Sequence, residues 1–262
     1  MCTRYIAPEV GDIERQWQIG ARNPAPWVRD LFPRYAGPFI RAVGHGTATA
    51  TATATGHATG AERELVVGQW SLVPWFAKTA KLSYPTANAR SEELSAKASY
   101  KLPWARGQRC IIPALAFYEP NWETGKHVPW RFRRSDGQAW GLAGLWNTWV
   151  NPETGEVVES YTMLTLNADV HPLMNRMHKP DPKRPPALQD KRSVVPIEAA
   201  DVDAWLHAPL EQAALLVRLA PVDRFVAEPE GPTVKQPAPP ADSAADPAAE
   251  ARTDGLFGAD PD

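Results

Sequence analysis

The chain has 262 residues, 44% of them hydrophobic, and a formal net charge of −2. The apolar content suffices for a full core, while the charge excludes a protein that holds nucleic acid through a generally basic surface. Two cysteines, Cys2 and Cys110, exclude a disulfide framework, and no apolar run approaches a membrane span, so a reducing cytoplasmic setting without membrane contact is expected.

The opening stretch, Met1-Cys2-Thr3-Arg4-Tyr5, lacks the apolar centre of a secretion signal. Removal of Met1, favoured by the small side chain that follows, would leave Cys2 with an amine and a thiol on adjacent carbons. The amine titrates at roughly 7.7–8.0 and the thiol near about 8.5. Such an aminothiol condenses with an aldehyde to an imine, then closes through sulfur to a five-membered thiazolidine. Residues 10–18 read as a short amphipathic helix carrying Ile13 and Trp17, and residues 23–38, rich in proline and aromatics, as an irregular wrap. Residues 44–60 contain a Thr-Ala alternation hemmed by glycine, which predicts a flexible insertion. Its histidines, His45 and His57, lack a third convergent ligand, so no metal is expected.

Five β-rich runs follow, at 64–73, 109–118, 128–134, 140–149 and 159–167, with Asn151–Gly155 as the hairpin loop between the last two. Helical patterns return at 197–207, with Asp201 as its cap, and at 210–219. The fold expected is α+β but mostly β, a barrel or folded-over sheet with flanking helices. Its domain spans residues 1–227, and residues 228–262 form a disordered acidic Pro/Ala-rich tail. From 229 onward seven acids face two bases, a net of −5 that leaves the body at +3. DNA binding would therefore need a local groove. The pair Leu256-Phe257 in that tail is a possible anchor for a clamp-type partner.

Four segments bear the chemistry: residues 1–5, Thr86–Glu92 around Asn88, Arg109–Glu119, and His171–Leu188 with His178 near its centre. Taken singly, Glu119 is a strand end, His178 a surface residue beside Arg176 and Lys179, Asn88 a loop hydrogen-bonder, and Cys110 a buried inert thiol. Together, and with Gln69–Pro74 and Ala143–Trp146, they resemble the SOS response-associated peptidase (SRAP) family of abasic-site DNA-protein crosslinking proteins, over about residues 1–220.

The resemblance implies a compact barrel-like fold, no cofactor, a monomer, and covalent attachment to abasic sites in single-stranded DNA through Cys2. It places Cys2, Asn88, Glu119 and His178 on the catalytic positions, and Arg4, Trp70, Arg90 and Thr165 in the DNA cleft. Elementary chemistry accords with these roles. A ring-opened abasic sugar presents the aldehyde that an aminothiol needs. Glu119 and His178 are suited to proton transfer, and Asn88 to holding the amine or a sugar hydroxyl. Arg4 and Arg90 would neutralise phosphates, and Trp70 would stack on a base.

Three places depart from the family pattern. Thr3 stands where glycine is usual. Pro120 follows Glu119, with tryptophan arriving only at Trp122. Lys179–Leu188 replaces an Arg-Met-Pro run, moving the local phosphate contact to Lys179, Lys183 or Arg184. Two other readings remain open: an N-terminal cysteine peptidase or amidohydrolase with Glu119 or His178 as base, and a non-covalent single-strand binder.

Overall fold

The computed structural model describes residues 1–19, 25–44 and 62–231. The Thr-Ala segment with His45 and His57, and the tail pair Leu256-Phe257, lie outside them. In chain order the strands are β1 (Tyr5–Ile6), β2 (Asp30–Leu31), β3 (Ala36–Ala42), β4 (Arg63–Trp70), β5 (Asn88–Arg90), β6 (Arg109–Ala114), β7 (Ala116–Asn121), β8 (Val128–Arg134), β9 (Trp140–Val150), β10 (Val157–Asn167), β11 (Arg192–Val194) and β12 (Phe225–Pro229). The helices are α1 (Val10–Trp17), α2 (Ala98–Ala105), α3 (Val202–His207) and α4 (Leu210–Ala214). No helix among the described residues is long and apolar enough to cross a membrane.

Five strands close on themselves. β10 pairs with β4, β4 with β3, β3 with β6, β6 with β9, and β9 with β10 again. Every pairing in this ring is antiparallel except β4–β10, where Trp70 lies beside Tyr161 in parallel register. Closure removes the exposed edges that an open sheet of this size would carry.

Both faces of the barrel wall are covered. Cys110, Ile112, Trp140, Leu142, Trp146, Tyr161 and Met163 belong to one buried cluster that also takes Phe39 and Trp70. Their neighbours one position along, Ile111, Ala143, Leu145 and Leu164, pack instead with Trp205 and Leu206 of α3. A strand's period of two sends alternate residues to opposite faces, and double burial explains why β6 reads as an unbroken apolar run. Gly144 admits close approach inside the wall, since a Cβ there would lie 2.7 Å from the Thr162 carbonyl and 2.8 Å from Cys110 Sγ.

The sequence run 109–118 proves to be two strands. At Leu115 the chain leaves the barrel wall, where Ala114 faces Trp140, and enters a second sheet, where Ala116 faces Ile6. That sheet has the order β12-β8-β7-β1-β2.

Other expectations shift in detail. Residues 36–42, the first three of them in the expected irregular wrap, form β3. Its Pro38 faces Val67 of β4, while pairing with β6 is confined to Ile40 and Arg41, so the missing N–H costs no ladder bond on that side. Asp201 makes no capping bond and pairs with Arg218 at 3.0 Å. β12 runs to Pro229 against Trp130, and Glu230 bonds Arg4, so the folded region extends beyond Ala227.

Candidate active site around the N-terminus

β1 places the N-terminus. Tyr5 pairs with Phe117 in antiparallel register, and the Tyr118 N–H donates to the Arg4 carbonyl at 3.0 Å. Residues 4 to 1 therefore run alongside β7 toward Glu119. β5, laid parallel on β10 with Asn88 beside Met163, brings the Asn88 amide to the same point, where Nδ2 donates to the Cys2 carbonyl at 2.7 Å. A bridge between Asn121 and Met177 draws in the third segment. His178 follows with φ 62, a left-handed conformation uncommon outside glycine, and its N–H donates to the Pro120 carbonyl at 2.6 Å.

The terminal ammonium sits in the middle. It lies 3.0 Å from His178 Nδ1 and 3.5 Å from Glu119 Oε2. Glu119 is 1% exposed, and neither carboxylate oxygen has a hydrogen-bond partner among the described residues; its neighbours are the ammonium and His178 Nε2, at 3.4 Å. His178 Nε2 is also 3.1 Å from the Arg192 carbonyl, which can only accept. That contact assigns the ring proton to Nε2 and leaves Nδ1 as an acceptor facing the ammonium. Burial holds the imidazole below its ordinary titration range, with the Glu119 charge opposing, so the ring is neutral at pH 7.

Cys2 is fully buried, and its thiol donates to the Arg4 carbonyl across 3.3 Å. Burial, reinforced by the Glu119 charge, pushes the thiol up to about 12. With Met1 in place the sulfur is therefore protonated at neutral pH. The four expected catalytic residues are thus within one cluster: Asn88 on the Cys2 carbonyl, and Glu119 and His178 on the terminal amine.

The expected DNA contacts fare differently. Trp70 is fully buried, with its ring edge-on to Tyr5 at 5.0 Å and its indole N–H on the Ala87 carbonyl at 2.8 Å. It offers no face to a base, because strand β4 ends inside the barrel. Thr165 is also fully buried, its hydroxyl toward the Ala89 carbonyl and its own carbonyl taken by Arg192. Arg4 is clasped by both oxygens of Asp30, at 2.8 Å each, and by Glu230 at 2.7 Å, over the Tyr118 ring. Arg90 is partly exposed and pairs with Asp190 at 2.6 Å. Arg184, exposed, lies 3.7 Å from the same carboxylate, and Lys179 sits over the Trp122 ring at 5.2 Å.

A cleft of about 480 Å³ opens beside the terminus, lined by Met1, Thr3, Arg34, Gln69, Tyr84 and Asn88 among others. The loop that supplies Ala80–Asn88 to its wall also carries Trp75, 66% exposed, edge-on to the exposed Phe76 at 5.6 Å. Sequence reading passed over these aromatics. Their signal was two adjacent large rings, Trp75-Phe76, placed between Pro74 and a lysine-rich turn where no strand or helix pattern could bury them. Arg34 was also missed: it is exposed, with φ 75, and no acidic partner among the described residues.

Comparison with known proteins agrees with the fold. The chain is 28% identical over 247 residues to the abasic site processing protein HMCES of Gallus gallus, covering 79% of this chain and 67% of that one. It is 33% identical over 120 residues to the abasic site processing protein YoqW of Bacillus subtilis (strain 168), covering 45% of this chain and 52% of that one. The chain thus spans about two thirds of one relative and about half of the other. A crystal structure of a Bordetella bronchiseptica protein superposes with a TM-score of 0.72 at 35% identity, covering 88% of this chain and 100% of that one. The profile of the SOS response associated peptidase (SRAP) family matches residues 1–237, and the chain belongs to that family.

Proposed function

We propose that this protein processes abasic sites in single-stranded DNA by capturing them covalently through Cys2 once Met1 has been removed. The observation that carries the reading is a terminal amine held 3.0 Å from a neutral imidazole nitrogen and 3.5 Å from a buried carboxylate. Loss of Met1 transfers the free amine to Cys2, one backbone step of about 3.8 Å along the chain. The relatives' names, abasic site processing proteins, support the substrate class.

The chemistry follows from the protonation states. The ammonium gives a proton to His178 Nδ1, leaving a neutral amine and an imidazolium. The imidazolium protonates the sugar's ring oxygen as the bond to C1′ breaks, and Glu119 takes the proton of the C1′ hydroxyl, which exposes the aldehyde. The amine adds to C1′. Glu119 returns its proton to the former aldehyde oxygen, then takes one from the new ammonium nitrogen and passes it to the resulting hydroxyl, which leaves as water and yields a protonated imine. The Cys2 thiol then adds across the C=N bond: sulfur bonds to C1′ and its proton passes to nitrogen. With Met1 in place burial holds the thiol at about 12; a thiol so buried is a poor first nucleophile, so amine before sulfur suits the site better than a cysteine peptidase, whose thiolate must attack first. Single strands are favoured because the open sugar and unstacked neighbours are reachable only outside a duplex.

The test is a denaturing gel of the trimmed protein with a labelled single-stranded oligonucleotide bearing one abasic site, with loss of Met1 confirmed by mass. A heat-stable band is expected, absent for Cys2→Ala. An adduct that persists in Cys2→Ala, or no adduct from trimmed parent protein, overturns the reading.

A further inference from the structure

One buried charged group has no part in this chemistry. Lys191, 7% exposed, lies just before β11, twelve residues beyond the His178–Lys179 step. Its ammonium donates to two consecutive carbonyls, Met177 at 2.7 Å and His178 at 2.6 Å. Its backbone N–H donates to Asp169 Oδ1 at 2.8 Å, and the other oxygen of that carboxylate takes the Asp190 N–H at 3.0 Å. The lysine is fixed at both ends.

What it fixes is the turn that aims the imidazole. His178 has φ 62, a conformation that persists in a non-glycine residue only where the surroundings impose it. In that turn the carbonyls of Met177 and His178 converge on a single nitrogen, and without a donor two acceptors would be left unmatched beside a buried site. The next residue, Arg192, presents its carbonyl to His178 Nε2 at 3.1 Å. One dipeptide therefore holds His178 twice, by its backbone through Lys191 and by its ring through Arg192.

We propose that Lys191 is a positioning residue: its ammonium clamps the Met177–His178 turn and so sets His178 Nδ1 against the N-terminal amine. The proposal rests on the reading of His178 as the proton acceptor. Three charges face the imidazole: Glu119 on β7, which favours its protonation, and the terminal ammonium and Lys191, which oppose it. Removing the Lys191 charge and loosening the turn both act in one direction, raising the imidazole's titration toward the ordinary histidine range.

The experiment uses the full chain in three forms, wild type, Lys191→Met and Lys191→Arg. The His178 imidazole is titrated by NMR on histidine-labelled protein without DNA, the resonance being assigned by its loss in His178→Asn. Lys191→Met is expected to move the His178 midpoint upward, while Lys191→Arg, which keeps charge and donors, stays near wild type. At saturating abasic oligonucleotide the rate of adduct formation in Lys191→Met should fall about tenfold or more, with the dissociation constant changed less than about twofold.

An unchanged His178 titration in folded Lys191→Met overturns the proposal. So does a fall in melting temperature and rate with the titration unmoved, because that pattern is merely structural. If Lys191→Met does not fold, Lys191→Gln, which keeps one donor, is read on the same titration. If wild type forms no adduct, the functional reading fails, and the titration still decides the role of Lys191.

Discussion

Asp190 is the residue whose removal should strengthen binding to DNA. Its carboxylate lies 2.6 Å from Arg90, 3.1 Å from Arg192 and 3.7 Å from Arg184, so one acid occupies cations that a backbone phosphate would otherwise meet. Arg192 keeps a second partner in Glu92 at 2.7 Å and Arg184 one in Asp181 at 3.5 Å, which leaves Arg90, 3.9 Å from Glu93, as the group chiefly released by Asp190→Asn. Asparagine tolerates the left-handed backbone at this position, φ 57, and the backbone N–H remains on Asp169. An exposed ion pair contributes up to about 1 kcal/mol, so freeing one cation for a phosphate should tighten binding about fivefold at low salt. Each added phosphate contact on a single strand steepens the salt dependence by about 0.7 in log–log slope, which is about a 2.6-fold extra loss of affinity between 50 and 200 mM salt. The assay is fluorescence anisotropy of an unmodified single-stranded oligonucleotide, which separates binding from capture, across that salt range. Asp203→Asn, which frees Arg63 from its 2.6 Å pair on α3, makes the same charge change elsewhere and serves as control. Equal effects from both variants, or an unchanged slope in Asp190→Asn, would refute the reasoning.

Glu119→Gln should slow adduct formation by about a hundredfold, in the range for loss of a general acid–base group, as read by single-turnover gels. Trp75→Ala should weaken single-strand binding by about 1–3 kcal/mol in the anisotropy assay, the worth of one stacked base, with little change in melting temperature. Trp70→Ala, by contrast, should cost about 3–5 kcal/mol of stability by denaturant unfolding, because its ring fills the barrel. Acidification should destabilise the fold through His178. Its folded-state titration is depressed by burial, so the unfolded chain binds the proton more readily. Stability is then complete above about 6.5 and is lost as pH falls through that value toward the depressed one. Carboxylates held low, such as Asp136 at about 2 beside Arg134, act only in a more acidic window. Melting temperatures from pH 8 to 5 should decline for the parent and stay flatter for His178→Asn.

The sequence made β8 of the second sheet and β9 and β10 of the barrel legible because they keep turn formers at their ends and β-branched or aromatic residues between. It concealed β3, where Gly37 and Pro38 resemble loop chemistry, and β12, whose pattern is mostly exposed because it lies at a sheet edge. The break at Leu115 could not be read, since both halves of the run are apolar for different partners. At the site, Cys2, Asn88, Glu119 and His178 were singled out through the family resemblance, and the fold brings them within one cluster. Trp70, which the resemblance placed in the DNA cleft, is fully buried, and a strand's period tells which residues share a face but not which face is inside. The pairs Arg4–Glu230 and Arg90–Asp190 join residues so far apart in the chain that no local pattern announces them.

The clasp of Arg4 by Glu230 bears on when the protein becomes reactive. These residues are 226 positions apart, and the amine meets His178 across 177. Contacts of such sequence separation form late, after a local hairpin such as β9–β10. On the proposed function, a partly folded chain that has lost Met1 would carry the aminothiol without its proton acceptor, its carboxylate or the amide that holds Cys2. Competence is a property of the completed chain, and a folding intermediate that meets an aldehyde has only the reactivity of a free peptide end.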